Sequence, residues 1–169
     1  AFVAIIAIGM MVVIASGGID LSVGASVVLS AVMIGATMEA GWPLWAGIIF
    51  ALGAALLVGL VNGILIAFLG MPPFVVTLGM LSFARSMALV LSNNKMIYEF
   101  GPDHELLLAL GGGSTFGLPH PLIVMLILAV IMGFVLKWTQ WGQHVFAIGG
   151  NESASILTGI PVRAMKVSV

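Results

Sequence analysis

Chemistry in this chain has few side chains to draw on. Lys and Arg total 5, Asp and Glu 6, and His 3 in 169 residues, with no cysteine. Asp20 lies in Ser16-Gly17-Gly18-Ile19-Asp20-Leu21-Ser22, between two apolar runs. One environment that suits it is a broken helix buried in protein. There Ser16, Ser22 and the freed N–H groups of Gly17 and Gly18 would satisfy the carboxylate. The other is a solvated or headgroup-level loop. Arg85 falls about eleven residues into its apolar segment, roughly 16 Å along a helix. An unpaired Arg at the bilayer centre costs about 2.5–3.5 kcal/mol even on the lowest scales. It must therefore face protein, pair with an acid or snorkel outward, and Asp20 and Glu99 are candidate partners. Asp103, His104, Glu105 and His120 are metal-ligating types, but adjacent helical residues point in different directions. A solvated external face is the expected reading, with no metal site.

Several classes are excluded by absence. There is no GxxxxGK[ST] phosphate loop, no Ser/His/Asp or HExxH pattern, no TVGYG-like filter and no Arg-rich voltage-sensor helix. Without cysteine there is no disulfide framework or thiolate site. No basic cluster offers a nucleic-acid surface.

The elements that must position these residues are set by composition. The chain is 62% hydrophobic and 7% charged, against about 25% charged in soluble domains, and its mean hydropathy is +1.28. An all-α, polytopic transmembrane helical bundle is expected. The chain reads as an internal fragment with about five to six membrane segments. Residues 1–38 hold two spans separated by the Ser16–Ser22 break, which reads as either a loop or a mid-membrane helix break. Leu44–Leu69 is a long span of roughly 39 Å, carrying a Gly59/Gly63 small-residue face with Asn62 able to hydrogen-bond across it. Met71-Pro72-Pro73-Phe74 forces a break, and 74–91 is the next span. Residues 92–120 form an external loop with a short helix at Asp103–Leu110, and 121–137 is a further span. Basic residues near span ends (Lys137, Arg163 and Lys166 against Lys95) place 138–162 in the cytoplasm.

The stretch 147–161, AIGGNESASILTGIP, is a polar interruption. Gly149-Gly150 are expected to break the preceding structure. Asn151 is a good N-cap, Glu152 suits the positive end of a helix dipole, and Ala154 and Leu157 share a face. Gly159 can take the left-handed conformation and Pro161 prevents continuation. This predicts a two-turn helix over Asn151–Thr158, outside the hydrocarbon. A cysteine at Ser155 is then a natural cross-linking probe.

Four blocks in order carry a family resemblance: Gly17-Gly18-Ile19-Asp20-Leu21-Ser22-Val23-Gly24, Gly59-Leu60-Val61-Asn62-Gly63, Pro72-Pro73-Phe74-Val75-Val76-Thr77-Leu78-Gly79 with Ala84-Arg85, and Gly142 with Phe146 to Glu152, Ala154 and Gly159-Ile160. The chain resembles the ribose/galactose-type permease subunits of bacterial ABC sugar importers, within the branched-chain amino acid/monosaccharide permease superfamily. Ser153 and Ile156 depart from the acid and base that relatives often carry there. The resemblance implies a multi-pass protein of the bacterial cytoplasmic (inner) membrane. It would be a non-enzymatic transport subunit importing a monosaccharide by alternating access. The implied partners are an ABC ATPase subunit that uses ATP and Mg, an external sugar-binding protein and a second permease subunit. This chain itself would bind no cofactor. Gly149, Gly150, Asn151, Glu152, Ala154, Leu157 and Gly159 would form the ATPase-coupling helix and its flanks. Asp20, Asn62, Thr77 and Arg85 would be intramembrane polar or translocation residues. An ion-coupled secondary transporter using Asp20 is the alternative.

Overall fold

Prolines, glycines and one distant carboxylate decide where the helices begin and end. The computed structural model describes residues 1–98, 100–115 and 117–169. Among them run α1 (Phe2–Ala15), α2 (Val23–Glu39), α3 (Leu44–Leu69) and α4 (Pro73–Leu91). A 3-10 turn at Gly101–Asp103 leads into α5 (His104–Gly112), and a minimal hairpin, β1 (Ser114–Thr115) with β2 (Leu118–Pro119), precedes α6 (His120–Trp138). The chain ends with α7 (Gln140–Gly150), α8 (Glu152–Leu157) and α9 (Val162–Ser168). The protein is thus a helical membrane bundle whose described residues include one short antiparallel pair. α3, α4 and α6 are long and apolar enough to cross a membrane, while α1 and α2 are shorter apolar helices.

α3 is bracketed by its breakers. Pro43 precedes it, and Gly70 closes it at φ +64°, a left-handed cap that glycine adopts without strain. α4 starts at Pro73 itself, not after it. At the first helical position the missing N–H would have had no partner anyway.

The N-terminus of α3 has an unexpected cap. Pro43 offers no side-chain acceptor, and Asp103 Oδ2 accepts from the Leu44 N–H at 2.8 Å instead. Gly101, at φ +61°, lets the loop lie against α2, since a Cβ there would stand 2.8 Å from the Met38 carbonyl oxygen. Asp103 is therefore a structural cap, correcting the expectation of a solvated face. Asp103→Ala should lower stability by about 1 kcal/mol, the usual cost of a lost N-cap acceptor. Asp103→Asn should retain most of it, because its amide oxygen also accepts. Thermal unfolding in detergent checks this. His120 is likewise engaged: Nδ1 donates to the Ala109 carbonyl at 2.7 Å, and Nε2 lies 2.8 Å from Thr115 Oγ1. A carbonyl can only accept, so Nδ1 carries the hydrogen. In that tautomer Nε2 accepts from the threonine.

Packing divides into two groups. Ala25, Leu29, Val58, Met80, Ala84 and Ala88 join α2, α3 and α4. Val12, Leu136, Val145, Ile148, Val162 and Met165 join α1, α6, α7 and α9. Val12 and Leu136 lie near the C-terminal ends of α1 and α6, so both helices reach the same side. The groups meet where Gly63 of α3 faces α9, close enough that a Cβ would be 2.9 Å from Val167 Cα. Gly59, the other half of the expected small-residue face, has open space beside it.

The expected break at Gly149-Gly150 is not there. α7 continues through Gly150 and stops at Asn151. Its start is capped by Thr139 Oγ1, which accepts from the Gly142 N–H at 3.2 Å. Glycine near a helix end weakens the helix without ending it, and at Gly149 another contact requires it.

Candidate functional site

α1 closes on itself. The Gly17 and Gly18 N–H groups donate to the carbonyls of Ile14 at 2.9 Å and Val13 at 3.0 Å, and Ser16 Oγ donates to Val13 O at 2.7 Å. In the buried-break reading these donors would serve Asp20; α1 engages them instead. Asp20 Oδ1 accepts from the Ser22 N–H at 2.7 Å and from the Ser22 hydroxyl at 2.6 Å. This i to i+2 arrangement is an Asx turn, and it starts α2 immediately after Ser22.

Ser22 then fixes its neighbour. Asn62 Nδ2 stands 3.0 Å from Ser22 Oγ. The only hydroxyl hydrogen of Ser22 already goes to Asp20, whose carboxylate can only accept. Ser22 Oγ must therefore accept from Asn62, which fixes which end of the amide is nitrogen. The consequence falls on Asn62 Oδ1, which is buried and has no hydrogen-bond partner. An unsatisfied buried acceptor of this kind costs about 1–3 kcal/mol. Thr77, buried nearby on α4, donates to Pro73 O at 2.8 Å.

These groups border a cavity of about 430 Å³ between the two packed helix groups, lined by Asp20, Asn62, Thr77, Gly149, Asn151 and Glu152 among others. Asn62 lies roughly 27 Å along α3 from Leu44 at 1.5 Å per residue. The cavity and the Ser16–Ser22 turn thus sit toward the C-terminal end of α3. Arg85 is elsewhere. It lines a separate groove between α2 and α4 with Lys95, so it is not brought together with Asp20. Its other candidate partner, Glu99, lies outside the described residues.

α7 presses on the turn. A Cβ on Gly149 would overlap the Ala15 carbonyl, and one on Gly17, at φ +83°, would meet Gly149 Cα at 3.5 Å. Directly after α7 comes α8, capped as the residues predict. Asn151 Oδ1 accepts from the Ala154 N–H at 2.9 Å, and Gly159 takes φ +82°. Glu152 pairs with Lys166 at 2.7 Å, tying α8 to α9. Ala154 and Leu157 do share an exposed face, with Leu157 88% exposed. Ser155 is only 3% exposed and points inward, donating to Asn151 O. It is the wrong probe position; Leu157 is the accessible one. Ser22 is the residue linking Asp20 to Asn62 that sequence reasoning undervalued, and Asp-x-Ser before a helix was its signal.

The whole chain, residues 1–169, matches the family described as "Branched-chain amino acid transport system / permease component". The chain belongs to this family. It is 37% identical over 164 residues to an L-arabinose ABC transporter permease of Azospirillum brasilense, covering 97% of this chain and 48% of that protein. A fructose import permease of Rhizobium meliloti is 35% identical over 175 residues, covering 100% and 49%. A ribose import permease of Bacillus subtilis is 36% identical over 165 residues, covering 98% and 51%. The chain spans about half the length of these curated relatives. No solved structure matches it. The chain is part of a multi-pass membrane protein.

Proposed function

We propose that this chain is part of the membrane-spanning subunit of an ATP-driven, binding-protein-dependent importer of a monosaccharide. The supporting observation is the continuity from α8 through α7 to the turn beside the cavity. An exposed, doubly capped helix is held, backbone against backbone, to the residues that position Asp20, Ser22 and Asn62. A force applied to α8 from outside the bilayer would therefore reach the cavity without passing through flexible side chains.

In this reading the side carrying Lys137, Arg163 and Lys166 is cytoplasmic. A separate ATPase subunit grips α8 and hydrolyses ATP with Mg; this chain performs no hydrolysis. A second permease subunit, identical or related, completes the passage. An external binding protein docks near α5 and its hairpin and delivers the sugar. Closure of the ATPase pair then exchanges outward- and inward-open states in the bacterial cytoplasmic membrane. The named relatives carry L-arabinose, fructose and ribose permease descriptions, which supports a monosaccharide as cargo.

A single cysteine at Leu157 in the full-length protein tests the arrangement. It should cross-link to the ATPase subunit with an efficiency that changes with nucleotide, while a cysteine at buried Ser155 should not. Labelling of the Leu157 cysteine from outside intact cells would invert the topology and sink the coupling role. Uptake that an ionophore abolishes, and that survives loss of the ATPase, would instead make the transport ion-coupled.

A further inference from the structure

The groove between α2 and α4 joins an apolar channel to two cations. Its walls are small or apolar, with Gly24, Val28, Ala31 and Gly35 on α2 and Leu81 and Ala88 on α4. Side chains this short leave a volume of about 1150 Å³, beyond the usual range of a compact small-molecule site. Arg85 and Lys95 bring the only charges to the lining among the described residues. Both are exposed, and neither pairs with a carboxylate among those residues. The two hydroxyls of the lining donate elsewhere, Ser92 Oγ to the Leu89 carbonyl and the Tyr98 hydroxyl to Met96 Sδ. Glu99 lies outside the described residues, and counting it still leaves two cations to one acid.

The cations belong to one end of the groove. A Cβ on Gly35 would stand 3.1 Å from Ile97 Cδ1, so residues 95–98 cross the C-terminal part of α2. Arg85 precedes Ser92 by seven residues, about 10 Å along α4, and its long side chain can carry the guanidinium toward that level. Tyr98, Trp42 and Trp45 are 72%, 54% and 63% exposed at the same end. Exposed Tyr and Trp mark headgroup depth in a membrane protein. From there the groove runs back along α2 from Gly35 to Gly24, about 16 Å, or one leaflet of a ~30 Å core. Positive charge at headgroup depth, above an apolar channel one leaflet long, is complementary to a phosphodiester carrying an acyl chain. A soluble anion would leave the channel empty. A further helix would bury the guanidinium unless it brought an acid. A zwitterionic headgroup would add a third cation to the same place. We infer that this groove holds one anionic phospholipid, its phosphate between Arg85 and Lys95 and one acyl chain along α2 toward Gly24.

The test uses the full-length permease purified with its ATPase subunit in neutral detergent. It is offered phosphatidylglycerol and phosphatidylcholine with identical acyl chains, and the retained lipid is read by native mass spectrometry. Phosphatidylglycerol should be held about 25-fold more tightly, from about fivefold for each cation beside anionic lipid. Arg85→Gln or Lys95→Gln should each cut the preference to about fivefold, and the double variant should abolish it. Arg85→Lys keeps the charge and should keep most of the preference. Lys95→Gln, on an exposed segment, carries the test if the Arg85 variants do not assemble. Phosphatidylglycerol with a photoreactive group at the acyl terminus should label α2 near residues 24–28. Ala31→Trp fills the channel without touching the charges and should block that label. The inference is overturned by equal retention of the two lipids, by a preference that survives the double variant, or by labelling away from α2 and α4. Displacement of the lipid by an equal concentration of inorganic phosphate would make the site one for a soluble anion and overturn it. So would a cross-link from a cysteine at Val28 to a segment outside residues 1–169, because protein would then fill the channel.

Discussion

Alanine at Gly149 is expected to disable the protein, and alanine at Gly150 is expected to leave it intact. The two glycines are adjacent on α7, yet their surroundings are opposite. A methyl group on Gly149 would overlap the backbone carbonyl of Ala15, and backbone cannot move aside as a side chain can. The Gly150 methyl would meet nothing within 4 Å. For Gly149→Ala we expect about 3 kcal/mol of destabilisation, the upper end of overpacking costs. For Gly150→Ala we expect no loss, and a gain of up to about 1 kcal/mol from the better helix former. Thermal unfolding of the two variants side by side checks the contrast. Where Gly149→Ala still assembles, α7 must stand off the Ala15–Gly17 turn, so ATP hydrolysis should continue while uptake falls. Equal behaviour of the two variants would remove the backbone contact from the account.

Leu157→Glu is expected to have the largest functional effect without a folding effect. The side chain is almost wholly exposed, so the change should stay within about 0.5 kcal/mol in stability, as surface substitutions do. In the proposed importer the same side chain would sit against the ATPase subunit. A charge placed there without a partner loses its hydration. Co-purification with the ATPase subunit and ATP-dependent uptake should both fall, by about 100-fold or more, which is the scale of a central interface residue worth 2.7 kcal/mol or above. Normal uptake by this variant would exclude α8 as the coupling element. Glu152 and Lys166 should matter far less. Their pair is partly solvent-exposed, and such pairs contribute about 1 kcal/mol at most.

The residues differ in how much of this could be read from them. The limits of α3 were legible because Pro43 and Gly70 bracket an unbroken apolar run, and both signals are local. The caps of α8 were legible for the same reason: Asn151 and Gly159 act on groups within four residues. Gly149 misled because glycine has two meanings, a flexible backbone and a missing side chain, and only the fold reveals that the second applies. Asp20, Asn62 and Thr77 each stood out as polar groups among apolar ones, and the structure brings them to one cavity. The bond order among them was not legible, because it depends on the register between α3 and the Asp20 turn. The suggested Asp20–Arg85 contact failed for the related reason that two charges in apolar stretches need a partner, but nothing local says which.

The cap on α3 also sets an order of events during synthesis. Its acceptor, Asp103, lies 59 residues beyond the N–H it receives. At 5–20 residues per second, the ribosome reaches it roughly 3–12 s after Leu44. α2 and α3 therefore enter the bilayer as a hairpin whose connecting turn is still held by water. Only when the chain has crossed once more through α4, and the following loop has emerged, does Asp103 arrive to close that turn. The carboxylate acts as a late latch, fastening the loop after α4 to the turn between α2 and α3.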